Sequence, residues 1–166
     1  MKCDLFIMFI CGLSSFMTYG QKNTEKCIYD ASLITDAQIK SAKSVSSYKW
    51  NNISKSGSII TKSGDVILFK RWACEHYGAD ASLITTNKET GIENWKKYVT
   101  ELMTLTMDSS AKYYFLNRIK SKKIEEAAKS KMSFEFDFSN SNYPEFFLYV
   151  NELEGTIVFN IYYYKN

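Results

Sequence analysis

The sequence predicts an α+β fold, with two or three helices packed on one side of a mostly antiparallel sheet of about six strands. Alternating apolar and polar residues, typical of half-buried strands, occur in two separate groups. Helical periodicity or helix-capping residues occur before the first group and between the two. The predicted order is therefore α-βββ-αα-βββ. Helices segregated from hairpin-connected strands indicate the α+β class.

The first 20 residues are predicted to be a secretory signal peptide. Lys2 supplies a positive start, residues 5–17 are mostly apolar, and Thr18-Tyr19-Gly20 offers small residues before the cleavage point. The apolar run of about 13 residues is shorter than the roughly 20 that a transmembrane helix needs. We therefore expect cleavage after about Gly20, a periplasmic or secreted protein, and no membrane span after cleavage.

Residues 21–166 are long enough for a single α+β domain. The segment Asp30-Ala-Ser-Leu-Ile-Thr35 recurs as Asp80-Ala-Ser-Leu-Ile-Thr85, so an internal duplication with halves 27–78 and 79–166 is an alternative. Hydrophobic residues make up 45% and charged residues 23%, which is a globular composition. A net charge of +3 is mild, and we expect no nucleic-acid partner.

The first half is predicted to hold one helix and three strands. Thr35 and Gln38 form a capping box for a helix that runs to about Lys43. Strands are predicted over 45–51, 58–62 and 65–76, with turns at Ser56-Gly57 and Ser63-Gly64. The third strand is the most apolar, and Gly78 is expected to end it. Alternation places Trp72, Cys74 and His76 on one of its faces and Arg71, Glu75 and Tyr77 on the other.

The second half is predicted to hold two helices followed by three strands. Apolar residues at Ile92, Trp95, Val99 and Leu102 form the stripe of an amphipathic helix that ends near Met107. A second helix is predicted from residue 111 to about residue 129. The last three strands are predicted over 132–139, 145–151 and 156–164.

Two cysteines remain after the predicted cleavage, Cys27 and Cys74. In an exported chain two cysteines usually pair, and we predict a disulfide between them. This bridge would close a loop of about 48 residues and stabilise the fold by roughly 3–4 kcal/mol. Attachment of a lipid to Cys11 is an alternative, but Ile10 stands where a lipoprotein signal needs a small residue.

The sequence offers little catalytic chemistry. His76 is the only histidine, and on an extended strand it would lie roughly 6.5–7 Å from Cys74, too far for a hydrogen-bonded dyad. A zinc site would need further ligands. We therefore predict no catalytic residue, no metal and no cofactor. An enzyme centred on Cys74 and His76 is the least favoured alternative.

Aromatic residues make up 16% of the chain and exceed what a core of this size needs. Tyr162 and Tyr164 fall on the strand face opposite Ile161 and Tyr163. Aromatic side chains at a surface are typical of protein-binding sites. The candidate binding surface consists of Trp72, His76, Tyr77, Tyr162 and Tyr164.

We therefore predict a small exported binding protein that recognises another protein, such as an inhibitor or immunity-type protein acting in the envelope or outside the cell. The alternative is an α+β roll that binds a small ligand in a pocket lined by Trp95, Tyr98 and the phenylalanines of the late strands.

Overall fold

The computed structural model describes residues 29–86, 92–119, 133–137 and 145–165. A 3₁₀ helix, Ala31–Leu33, precedes the helices α1 (Ala37–Ser41), α2 (Ile92–Thr106) and α3 (Ser109–Ile119). The strands are β1 (Val45–Asn51), β2 (Ser56–Thr61), β3 (Val66–Ala73), β4 (Tyr77–Thr85), β5 (Ser133–Asp137), β6 (Glu145–Leu153) and β7 (Thr156–Lys165). They form one antiparallel sheet in the order β1-β2-β3-β4-β7-β6-β5. The α+β class is confirmed, with one strand more than predicted.

The core lies between one face of the sheet and the helices, and we call this face the inner face. Helix α2 packs on β3, β4 and α3 because its apolar stripe faces the sheet. The stripe is the predicted one, since Trp95, Val99 and Leu102 are all buried. The strands contribute alternate residues to this core, including Ile59, Ile67, Phe69, Ala79, Ala81, Leu83, Phe146, Leu148, Phe159, Ile161 and Tyr163.

Strand β4 was not predicted, and it changes how the two halves of the sheet join. β3 ends at Ala73, the chain bends over residues 74–76, and β4 begins at Tyr77. The prediction that one strand runs to His76 and that Gly78 ends it was therefore wrong. β4 pairs with β3 on one side and with β7 on the other. It is the strand that joins the two meanders into one sheet.

The repeated hexapeptide adopts two different conformations. In the first copy Ala31–Leu33 form the 3₁₀ helix, and Asp30 caps it by accepting a hydrogen bond from the backbone N–H of Ser32 at 2.7 Å. The second copy lies wholly within β4. Tertiary pairing therefore overrides the shared local preference, and the boundary between the suggested halves, 78/79, falls inside a central strand.

The capping box predicted for α1 does not form. Asp36 is the N-cap residue, and the Gln38 side chain instead donates to the carbonyl oxygen of Leu105 at 2.8 Å. The hydroxyl of Tyr48 and the ammonium of Lys40 contact the Asp36 carboxylate at 3.0 and 3.2 Å. Gln38 thus joins α1 to the end of α2, and α1 is held by contacts distant in sequence.

The first predicted turn was also misplaced. The β1–β2 turn occupies residues 52–55 and uses Lys55 at a φ of 51°. Gly57 lies inside β2, where a Cβ atom would come within 2.3 Å of the carbonyl oxygen of Lys49. Close approach of a neighbouring strand, rather than a turn, therefore requires this glycine. Gly64, at a φ of 89°, lies in the predicted turn between β2 and β3.

Several predictions fall outside the described residues. They are the signal peptide, Cys27, the helix beyond residue 119, and the ends of the strand at 132–139.

Candidate functional site

The face of the sheet opposite the helices is open to solvent, and we call it the outer face. Alternate residues of each strand point to it. Ile60, Leu68 and Tyr162 lie on this face and are 46%, 48% and 36% exposed. These values are high for residues of their size in a sheet. The outer face therefore presents apolar side chains that no neighbouring group fully covers.

Six ring side chains lie along one end of the outer face, and together they form what we call the aromatic strip. Its members are Trp72, His76, Phe147, Tyr149, Tyr162 and Tyr164. Tyr162 is central, since its ring centroid lies 5.7 Å from that of Trp72 and 6.1 Å from that of Phe147. Phe147 and Tyr149 are stacked at 6.4 Å, and His76 lies 4.7 Å from Tyr164. Four of the rings are therefore linked across β3, β7 and β6, and the His76–Tyr164 pair lies at the end of the strip next to the bend.

The absence of a side chain at Gly78 leaves room for the tryptophan of the strip. Trp72 and Gly78 are cross-strand partners, and a Cβ atom on Gly78 would come within 2.3–2.7 Å of atoms of the Trp72 indole. The indole therefore lies flat over the backbone of β4 and extends towards Tyr162. A side chain fixed in this way loses little conformational entropy when a partner binds.

Four of the five residues predicted to form a binding surface lie in the aromatic strip. Trp72, His76, Tyr162 and Tyr164 come together because β4 lies between β3 and β7. Tyr77 does not join them. As the first residue of β4 it turns to the inner face, where its ring lies 6.0 Å from that of Tyr163 and 6.2 Å from that of Tyr29.

Phe147 and Tyr149 were not included in the predicted surface. The run Phe146-Phe147-Leu148-Tyr149-Val150 is apolar at every position, so alternation alone could not say which residues face solvent. In the structure Phe146, Leu148 and Val150 are buried, whereas Phe147 and Tyr149 are half-buried on the outer face. The register of β6 against β7 decides this, because it aligns Phe147 with Tyr162.

Carboxylates surround the Tyr164 end of the strip. Glu145 is the cross-strand partner of Tyr164 on β6, and Glu75 lies in the bend before β4, with an oxygen 4.0 Å from Nε2 of His76. Partial burial, followed by the nearby Tyr162, Glu145 and Glu75, raises the pKa of Tyr164. Among the described side chains, those with charge next to Tyr164 are therefore carboxylates.

An open depression of about 460 Å³ lies beside the strip on β1 to β4. The lining residues that belong to the outer face are polar or charged except for one leucine, and they are Lys49, Asn51, Ser56, Ser58, Leu68, Lys70, Asp80 and Ser82. The outer face is thus aromatic at one end and mainly polar towards β1.

The inner face contains a buried arginine that the sequence did not single out. Arg71 is 4% exposed, and its guanidinium donates to the carbonyl oxygens of Thr35 at 3.2 Å and Leu105 at 3.3 Å. Leu105 lies in the last turn of α2, where carbonyl oxygens lack helical partners. Burial lowers the pKa of Arg71, and Tyr77 and Asp108 oppose this shift. These contacts assign Arg71 a structural role, since it joins the end of α2 to the chain before α1.

Cys74 and His76 lie in the bend between β3 and β4, and not on one extended strand. Cys74 is disulfide-bonded, and its backbone N–H donates to the carbonyl oxygen of His76 at 3.1 Å across the bend. The reasoning from extended-strand spacing was therefore wrong, although disulfide formation equally removes the nucleophile. No group of three or more metal-ligating side chains is found among the described residues.

The partner of Cys74 lies outside the described residues, and its pairing with Cys27 remains a prediction. One contact agrees with it. The backbone N–H of Tyr29 donates to the carbonyl oxygen of Cys74 at 2.8 Å. Cys27 is two residues before Tyr29, and a disulfide requires Cα atoms roughly 4.4–6.8 Å apart.

Neither of the two described depressions corresponds to the predicted ligand pocket. Trp95 and Tyr98 are each 5% exposed and belong to the core, where Tyr98 stacks on Phe159 at 5.4 Å. The second depression, of about 690 Å³, is open and lies between α2 and the segment 42–44. Trp95 and Tyr98 line neither of them.

No family model, curated protein or solved structure matches this chain. The helices within the described ranges are also too short or too polar to cross a membrane. The outer face of the sheet is therefore the candidate functional site.

Proposed function

We propose that this chain is an exported binding protein that recognises another protein through the aromatic strip on the outer face. An inhibitor or an immunity-type protein is the concrete form of this proposal. The observation that carries it is the contact chain from Trp72 through Tyr162 to Phe147 on an open sheet face. Large aromatic side chains at a surface supply most of the binding energy in many protein interfaces.

The energetics of folding support this assignment. Tyr163 is buried in the core, whereas Tyr162, its neighbour in β7, is 36% exposed. An exposed aromatic ring gains only part of the stabilisation that full burial provides, about 25 cal/mol per Å² of apolar surface. The six rings of the strip thus contribute less to the fold than core residues of the same size. A partner that covered the rings would gain the part of the burial free energy that folding alone does not provide.

The strip can be tested by photo-crosslinking in the cells that produce the protein. The residue at position 162 is replaced by the photoreactive p-benzoyl-phenylalanine, and the cells are irradiated before the envelope and the medium are analysed. We expect a covalent adduct with one other protein. The same replacement of Tyr113 is the control, because Tyr113 is 72% exposed but lies on α3.

Three outcomes would overturn the proposal. Equal adducts from positions 162 and 113 would show non-specific labelling. An adduct of twice the mass of the mature chain would show that a second copy covers the strip. A cross-link within one chain would show that another part of the same chain covers it. An adduct specific to position 162 that is lost with Trp72→Ala would support the proposal.

A further inference from the structure

The charge around the aromatic strip differs from that of the whole chain. The chain carries a net charge of +3. Around Trp72, Tyr162 and Tyr164, however, the described side chains with charge are three carboxylates and one ammonium, namely Glu75, Asp80, Glu145 and Lys70. Lys70 and Asp80 are cross-strand neighbours and offset each other. Glu75 and Glu145 therefore give the Tyr164 end a local negative charge.

From this arrangement we infer that the partner is a basic protein that places an arginine side chain on the strip at Tyr164, between Glu75 and Glu145. This inference rests on the proposed function and names the chemistry of the partner. Charges across a protein interface are usually complementary, so the carboxylates of Glu75 and Glu145 favour a positively charged partner surface. An acidic surface would be repelled from the two carboxylates.

Two properties of the guanidinium group are suited to the Tyr164 end of the aromatic strip. It is planar and stacks on aromatic faces, and it also donates paired hydrogen bonds to a carboxylate. The end of the strip offers both kinds of group, because the Tyr164 ring lies against His76 and both carboxylates influence its hydroxyl electrostatically. An arginine that lay on the ring would keep its charged edge near Glu75 or Glu145.

The partial exposure of these groups leaves them accessible. The side chains of His76 and Glu75 are 41% and 52% exposed. Since the carboxylates remain in contact with water, each ion pair that they form is expected to be weak. The cation–π contact on a partly exposed ring is weak as well. A single arginine should therefore bind weakly, and tight binding requires the rest of the strip.

The inference can be tested without knowledge of the partner. N-acetyl-arginine amide is titrated into the ¹⁵N-labelled protein at low salt, and N-acetyl-citrulline amide is titrated as the uncharged control of the same shape. We expect saturable NMR shifts of the Trp72 indole N–H and the Tyr164 amide with arginine, with a dissociation constant on the order of tens of millimolar. Citrulline should give shifts at least about threefold smaller at equal concentration.

Paired variants identify the groups responsible. Glu75→Gln with Glu145→Gln should weaken arginine binding at least about threefold. Glu101→Gln is the matched control, because Glu101 lies on α2 on the inner side of the sheet and should leave binding unchanged. Equal shifts with arginine and citrulline, or shifts that persist in the double variant, would overturn the inference. Either result could occur while position 162 still cross-links to a protein, so failure of this inference is distinguishable from failure of the proposed function.

Discussion

The two faces of the sheet are built from the same strands but have different energetic roles. Leu83 on the inner face is fully buried under α2, whereas Leu68 on the outer face is 48% exposed. In β7, Tyr163 and Tyr162 show the same contrast one residue apart. Similar side chains thus stabilise the fold on one face and remain available for binding on the other. Exposure, rather than residue type, therefore distinguishes the candidate site from the core.

A matched pair of leucine substitutions should show the largest difference between the faces. Leu83→Ala removes a fully buried side chain and should lower the free energy of unfolding by about 2–5 kcal/mol. Leu68→Ala removes a half-exposed one and should cost less than about 1 kcal/mol. Urea unfolding monitored by circular dichroism measures both. Equal losses would mean that the outer face is covered and would contradict its assignment as an open surface.

Two neighbouring cations on β3, Arg71 on the inner face and Lys70 on the outer face, should also differ in their contribution to stability. Arg71→Met keeps the aliphatic stem but removes the donors to Thr35 and Leu105, so it should cost about 1–3 kcal/mol. Lys70→Met on the outer face should change stability by only about 0.5 kcal/mol. Gln38 continues to donate to the carbonyl oxygen of Leu105, which limits the first loss. If both variants were as stable as the wild type, Arg71 would not hold α2.

High pH should lower the free energy of unfolding through the tyrosines of the inner face. The effect is smaller than that of the substitutions above, and it increases with pH. Burial is the main cause that raises the pKa of Tyr163 and of Tyr77, and the negative charge of Asp108 adds to it. In the unfolded chain these tyrosines ionise near pH 10. Above that pH the native state keeps protons that the unfolded state loses, so stability falls as the pH rises. The slope should reach at most about 1.4 kcal/mol per pH unit for each tyrosine.

Tyr163→Phe isolates this effect. Between pH 7 and 9 the free energies of unfolding of the variant and the wild type should differ by a constant amount. In this range Tyr163 stays protonated in both the native and the unfolded state. Above pH 10 the variant should lose stability less steeply. If the difference in free energy of unfolding stayed constant up to pH 12, Tyr163 would ionise in the native state at the same pH as in the unfolded chain.

Local patterns in the sequence predicted most of the elements. The stripe on α2 and the alternation in β3 and β7 are properties of a few adjacent residues, and they identified the helix and the strands without tertiary information. β4 was missed because Gly78 resembled a strand end. Its own alternation is present, however, with Ala79, Ala81 and Leu83 buried and Asp80 exposed.

The candidate site was predicted in part for the same reason. Alternation separated Tyr162 and Tyr164 from Tyr163, because residues two apart in a strand share a face. Alternation also placed Tyr77 with Arg71 on the face opposite Trp72, and the structure has both on the inner face. Including Tyr77 in the candidate surface was therefore the mistake. Phe147 and Tyr149 were missed because Phe146 and Leu148 beside them are equally apolar.

Local sequence is sufficient to predict the α+β class, the stripe of α2 and the alternation that separates Tyr162 from Tyr163. These features follow from side-chain periods that any chain of this pattern would show. The pairing of β4 with β7, and with it the contacts of Tyr162 with Trp72 and Phe147, became known only from the three-dimensional structure. The physical reason is that strand order depends on how the whole sheet buries its inner face under α2 and α3, and no short segment contains that information.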